Sequence, residues 1–196
     1  MRKIAVFASG TGTNFDAIQA SIEEGKLNAS IELVVVDKSD ALVIEKAKAK
    51  HIDTFVFNPK SYATKNDYER EIVSECKKRN VEWIVLAGYM RILADCLLEA
   101  YPNRIVNIHP SLLPAFKGKD AIGQAFHYGV KLMGVSIHYV NAEMDGGKII
   151  AQKCFDVLDG MTHEDAEREI HKIEHQLYPE TLRKLLEENE DEKSVS

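Results

Sequence analysis

Cysteine is scarce in this sequence. The three present, Cys76, Cys96 and Cys154, form no CxxC pair and have no spacing suited to a metal or a disulfide framework. They read as reduced, mostly structural thiols of a cytoplasmic protein. Long apolar runs are missing too: none approaches the ~20 residues a helix needs to span a bilayer. Met1-Arg-Lys passes directly into strand-like residues 4–8, with no signal-cleavage pattern. Basic charge is in deficit, 25 Lys and Arg against 31 Asp and Glu, a net charge of -6. A general nucleic-acid binder needs a basic face, so that class is set aside, while local patches leave small anionic ligands open. No internal repeat and no linker interrupts the chain. What is there is globular, with 45% hydrophobic and 29% charged residues in a chain of 196, enough to bury a sizeable core.

Apolar segments alternate with helical spacing through the first half. Residues 3–8, 31–36, 54–57 and 83–87 read as strands; helical stretches run to about residue 24 and over 41–50, 67–79 and 93–100. Such alternation predicts an α/β fold, a mostly parallel twisted sheet with helices on both faces. After Pro114 the pattern changes. A Gly-bearing loop leads to a helix over 121–128, and residues 134–140 and 149–157 form a strand pair, predicting antiparallel strands near the C-terminus. A long helix begins at His163, with Thr162 and Asp165 as a capping arrangement. Its apolar stripe of Ala166, Ile170, Ile173 and Leu177 is interrupted at Tyr178-Pro179 and resumes at Leu182. The expected layout is one domain over 1–186 with a phosphate-binding half (1–100), a second half (101–186) and an acidic tail (187–196).

The stretch around which the chain is read is Arg104-Ile-Val-Asn-Ile-His-Pro-Ser-Leu-Leu-Pro114. Its β-branched residues predict a buried strand, and Pro110 ends it by removing a ladder donor. Side chains alternate along a strand, so Asn107 and His109 face the same side. An amide donor and a titratable base at the carboxyl end of a parallel strand suit acyl transfer, which needs an oxyanion donor and a proton carrier. A strand-end histidine satisfied by backbone is the competing reading.

Ser9-Gly-Thr-Gly-Thr-Asn14 lies between a strand and a helix, where glycines admit an anion and helix N–H groups meet it. It lacks the third glycine of a dinucleotide fingerprint and the Lys-Ser/Thr of a P-loop. A monophosphate on Gly12, Thr13 and Asn14 is favoured over a merely tight turn. Asp37 suits a ribose-binding acid or a strand-end cap equally. Asp145-Gly-Gly147 reads by itself as a hairpin turn, although beside His109 its carboxylate would orient the ring and support its charge. Met90, Ile92 and Leu93 suit a pocket for a flat ligand or plain core. His138 reads as a structural histidine, and Glu174-His175 as a solvated helix face.

Together, Ser-Gly-Thr-Gly-Thr-Asn14, Ala-Gly-Tyr-Met-Arg-Ile-Leu93, Asn-Ile-His-Pro-Ser-Leu-Leu-Pro114, Met-Asp-Gly-Gly147 and Ile-Glu-His-Gln-Leu-Tyr-Pro179 resemble, in order, the phosphoribosylglycinamide formyltransferases over roughly residues 1–186. The resemblance implies a Rossmann-like formyltransferase fold and a one-carbon transfer in purine synthesis. It implies Asn107, His109 and Asp145 as the catalytic set. Gly12, Thr13, Asn14 and Glu174 would hold the ribonucleotide. Lys65, Met90, Arg91, Ile92, Leu93, Asn107, Asn141, Ala142, Glu143 and Met144 would hold the co-substrate, 10-formyltetrahydrofolate. No metal is expected, and the partners are small molecules, with the protein a monomer or homodimer. Lys117 and Lys148 depart from prolines usual in the family. Formyltetrahydrofolate hydrolases and methionyl-tRNA formyltransferases share the catalytic trio but carry further domains, for which 196 residues are expected to leave no room. A non-catalytic nucleotide-binding module would leave the Asn-His-Asp set a coincidence.

Overall fold

The structure, a computed structural model, describes residues 1–191, with side chains through residue 188. In chain order the elements are β1 (Arg2–Ala8), α1 (Thr13–Glu23), β2 (Ala29–Val36), α2 (Val43–Ala49), β3 (Thr54–Val56), α3 (Lys65–Lys78), β4 (Trp83–Leu86), α4 (Asp95–Ala100), β5 (Ile105–His109), α5 (Ala121–Tyr128), β6 (Leu132–Tyr139), β7 (Ile149–Asp156) and α6 (His163–Asp191). The strands form one sheet in the order β3-β2-β1-β4-β5-β6-β7. β1 through β5 are parallel, while β6 pairs antiparallel to β5 and β7 antiparallel to β6. This is the mixed, mostly parallel sheet that the alternation predicts.

The period of two along β1 divides the core between the faces. Ile4, Val6 and Ala8 pack with Phe15 and Ile18 of α1 and the stripe of α6, whereas Ala5 and Phe7 pack with Tyr68 and Ile72 of α3 and Leu97 of α4. Burial on both faces explains why β1, β2 and β4 read as continuous apolar runs. From β1 the chain winds outward through β2 and β3 on one side and β4 and β5 on the other, so a crevice opens at the carboxyl ends of β1 and β4.

Several boundaries differ from the sequence reading by one to three residues, and at two of them the local reason is visible. α3 starts at Lys65, not residue 67, because Thr64 and Asp67 form a reciprocal capping box: the Thr64 N–H donates to the Asp67 carboxylate at 2.9 Å and the Asp67 N–H to the Thr64 hydroxyl at 3.3 Å. α4 starts at Asp95, not residue 93, because its first turn hangs from buried Glu69, whose carboxylate accepts from the N–H groups of Ala94 (2.7 Å) and Leu97 (3.2 Å). The apolar stripe expected to be interrupted at Tyr178-Pro179 runs on through buried Tyr178, and α6 continues unbroken past Pro179. Proline withdraws one N–H, but Ile170, Ile173, Tyr178, Leu182 and Leu185 are buried on both sides of it, and the hydroxyl of Tyr178 donates to the carbonyls of Leu86 (2.8 Å) and Val106 (3.2 Å). That docking spans the missing bond. The capping pair at Thr162 and Asp165 forms as expected. Of the acidic tail, 187–191 continue α6 and 192–196 lie outside the described residues.

Candidate active site

A cleft of about 370 Å3 lies at the carboxyl end of β5, within the size range of small-molecule sites. The loop after β4 (Met90 to Leu93) walls one side, the loop after β6 (Asn141, Glu143, Met144, Asp145) another, and Asn107 and His109 form the floor. His163 and Glu167 of α6 also line it; neither was singled out from the sequence, where their i,i+4 spacing was the available signal.

The trio converges. His109 is 6% exposed, and its Nε2 lies 2.9 Å from the carbonyl oxygen of Phe116. A carbonyl only accepts, so Nε2 carries the proton there. Nδ1 then faces Oδ2 of Asp145 at 3.6 Å, longer than a direct hydrogen bond. Asp145 is anchored by the Gly118 N–H, which donates to Oδ2 at 2.8 Å. Both residues that hold the imidazole, Phe116 (φ 55°) and Asp145 (φ 49°), sit in the left-handed backbone region without being glycine. That conformation costs on the order of 1–3 kcal/mol each and persists only where surrounding contacts enforce it. Gly147 allows the loop to fold back: a Cβ there would strike the carbonyl of Tyr139. Asp-Gly-Gly is therefore more than the turn it resembles.

His138 is the satisfied, buried histidine expected, and it also lines the cleft. Its Nδ1 lies 2.8 Å from the Tyr139 carbonyl and must donate. Burial pushes its pKa below the ordinary value of 6.5, so the ring is neutral and Nε2 is an acceptor. That acceptor takes a hydrogen from Nδ2 of Asn107 at 3.1 Å. The chain of bonds therefore fixes which end of the Asn107 amide is NH2, and leaves its second hydrogen for a substrate. The sequence carries no signal of this: His138 stands opposite Asn107 across the antiparallel β5–β6 ladder, a register that only the fold sets.

The glycine loop forms a second cluster. Gly12 caps α1 at φ 73°, and a Cβ there would meet Cγ2 of Val43 at 2.6 Å. Asn14 is buried and its Nδ2 donates to Oε2 of Glu174 at 3.4 Å, joining α1 to α6. The same oxygen lies 2.9 Å from Nδ1 of His171, one turn earlier on α6, and this bond raises the His171 pKa. Glu174 is thus not on a solvated face. His171 was missed, though its i,i+3 spacing to Glu174 was legible. Thr13 is exposed at the start of α1.

Other candidates fall elsewhere. Lys65 is exposed at the start of α3 and does not line the cleft, and Ala142 is exposed outside its lining. Arg91 reaches the cleft, and its guanidinium Nε donates to Oδ2 of buried Asp37 at 2.7 Å. Lys117 pairs with Glu143 at 2.8 Å, tying two loops at the cleft mouth, and the carbonyl of Lys148 accepts from the Tyr139 N–H. Among the described residues, no three or more His, Cys, Asp or Glu side chains group as a metal site.

The formyl transferase family model matches residues 2–182. The chain belongs to the formyl transferase family. Among its relatives, phosphoribosylglycinamide formyltransferase of Bacillus subtilis (strain 168) is 52% identical over 186 residues, covering 95% of each chain. The protein of the same name from Escherichia coli (strain K12) is 34% identical, over 90% of this chain and 83% of that one. Glycinamide ribonucleotide transformylase 1 from Geobacillus kaustophilus superposes with a TM-score of 0.93 at 52% identity, covering 95% of this chain and 99% of that chain. In this formyl transferase the Asn-His-Asp set and the glycine loop lie along the same carboxyl-end edge of the sheet, at β5 and β1, with β4 between them.

Proposed function

We propose that the chain transfers the formyl group of 10-formyltetrahydrofolate to the amine of phosphoribosylglycinamide, giving formylglycinamide ribonucleotide and tetrahydrofolate in purine biosynthesis. The observation that carries this reading is the convergence of Asn107, His109 and Asp145 on one cleft, with an amide hydrogen of Asn107 left over after its bond to His138. The relatives' names support the acceptor. In this reading the folate lies between the loops at 90–93 and 141–145. The ribonucleotide phosphate rests on the Gly12, Thr13 and Asn14 backbone at the start of α1, where helix N–H groups favour an anion. Oδ1 of Asn14 is buried without a hydrogen-bond partner and is the acceptor for a substrate donor, with Glu174 beside it.

The amine attacks the formyl carbon directly, forming a C–N bond and a tetrahedral oxyanion. Asn107 Nδ2 donates to that oxygen. A proton on His109 Nδ1 turns the 3.6 Å approach to Asp145 into a charge pair and adds positive potential at the oxyanion. The incoming nitrogen loses a proton, Asp145 relays one through water, and the folate nitrogen gains one as its bond to the formyl carbon breaks. No enzyme nucleophile is needed. The proposed setting is the cytoplasm, and the proposed state is a monomer or homodimer; among the described residues, no helix is long and apolar enough to cross a membrane.

The test is a formyl-transfer assay with 10-formyltetrahydrofolate, comparing glycinamide ribonucleotide with water and methionyl-tRNA as acceptors. Turnover that depends on the ribonucleotide is expected. Turnover indifferent to it would instead make the protein a hydrolase.

A further inference from the structure

The loop of residues 88–94, between β4 and α4, has no helix or strand to hold it, yet it presents Met90 and Ile92, 67% and 48% exposed, to the cleft. Three buried side chains from earlier in the chain supply its anchors. Ser9 holds Gly88 and Met90, its N–H donating to the Gly88 carbonyl at 3.2 Å and its hydroxyl accepting from the Met90 N–H at 3.0 Å. Glu69 holds Ala94. Asp37 holds Arg91 from beneath, Oδ2 to Nε at 2.7 Å, with the Asp37 side chain 1% exposed and that of Arg91 35% exposed.

The Asp37–Arg91 pair is asymmetric. The other carboxylate oxygen of Asp37 is buried with no hydrogen-bond partner, so Arg91 is the cation that offsets this charge. Taking one member away leaves the other uncompensated, which is costly out of proportion to the worth of the pair itself. The position of Asp37 follows from register: Ala8 stands opposite Val36 on β1 and β2, so Ser9 and Asp37 emerge side by side at the strand ends and grip consecutive residues, Met90 and Arg91.

We infer that Asp37 is a positioning residue for the folate co-substrate: it touches no ligand, and through Arg91 it holds the 88–94 loop in the shape that lines the cleft. This rests on the assignment of that cleft to the folate under the proposed function. Asp37 does not contact the ribose in this account, since its carboxylate is buried against the guanidinium.

The experiment compares wild type with Asp37→Ala, Asp37→Asn, Arg91→Met and the double variant Asp37→Ala/Arg91→Met. It measures Michaelis constants for both substrates, kcat for the Asp37 variants, thermal unfolding, and direct titration with a non-reactive folate analogue. The expectation for Asp37→Ala is a KM for 10-formyltetrahydrofolate raised about tenfold, the size of a modest lost coupling, with the ribonucleotide KM and kcat within about twofold. Asp37→Asn, which keeps a neutral acceptor, falls between. The double variant is no worse than the poorer single one, because both act through one contact. A rise in the ribonucleotide KM alone would make Asp37 a ribose ligand and overturn the inference. So would multiplicative losses, an equal rise in both constants, or lowered thermal stability with both constants unchanged. The analogue titration separates the two layers: if wild type forms no formylated ribonucleotide but binds the analogue, and Asp37→Ala weakens that binding, the tether stands and only the acceptor is wrong.

Discussion

At the scale of single residues, what distinguishes the site is that each catalytic candidate has its polar atoms assigned by a neighbour that can do only one thing. The Tyr139 carbonyl can only accept, which makes Nδ1 of His138 a donor, Nε2 an acceptor and Asn107 a donor in turn. Replacing Asn107 by Ala is expected to lower kcat by about 10²–10³, and His109→Ala by about 10²–10⁴, each read in steady-state turnover at saturating substrates. Asp145→Asn combined with His109→Ala should be little worse than the poorer single variant, since residues working as a unit are non-additive; multiplicative losses would separate their roles. The same logic gives a pH prediction. Burial lowers the His138 pKa below 6.5, so the neutral ring persists to more acid pH than an ordinary histidine. Once it protonates, Nε2 becomes a donor and the Asn107 amide must turn its oxygen inward, losing the oxyanion donor. Transfer should fall on the acid side in wild type, and His138→Gln, which cannot protonate, should lack that limb in a pH–rate profile. The stability sign agrees. Unfolded His138 binds a proton that the folded ring refuses, so its contribution is lost as pH falls from 6.5 towards the folded value.

At the scale of elements, loops rather than helices or strands shape the cleft, and their form depends on where a Cβ is forbidden. Gly147→Ala drives a methyl into the Tyr139 carbonyl and should displace Asp145 from His109. The expectation is a fall in kcat with ribonucleotide binding retained, checked by turnover beside equilibrium binding of each substrate. Gly12→Val acts after β1 on the same sheet edge. Its Cβ would meet Val43 of α2 at 2.6 Å in a left-handed backbone, so the phosphate loop and α2 must both give way. Ribonucleotide binding should weaken strongly and folate binding little; equal loss of both, with the fold intact, would point to a shared site.

At the scale of the whole molecule, α6 closes the structure by packing against β1's face and sending the Tyr178 hydroxyl to carbonyls of two adjacent strands, Leu86 of β4 and Val106 of β5. Tyr178→Phe removes one donor that serves two buried carbonyls. A loss of about 1–3 kcal/mol in unfolding free energy is expected, measured by denaturant titration. A loss below a few tenths of a kcal/mol would mean that water satisfies those carbonyls equally well.

Much of this was available from residue order alone. Apolar runs at residues 33–36 and 83–87 dictate buried parallel strands, and the i,i+3 and i,i+4 stripe from Ala166 onward dictates a core-facing helix, because these periods follow from backbone geometry. The shared face of Asn107 and His109 follows equally from the pleat of one strand. What lies across strands or between helices does not. The pairing of His138 with Asn107, the bond of Asn14 to Glu174 and the grip of Asp37 on Arg91 join residues 31, 160 and 54 positions apart, and no local period encodes such distances. The same holds at Tyr178-Pro179, where the stripe reads as interrupted and docking on both sides carries it through. Local propensity is decided residue by residue, but the role of a polar side chain is decided by its partner, and only the folded sheet brings the two together.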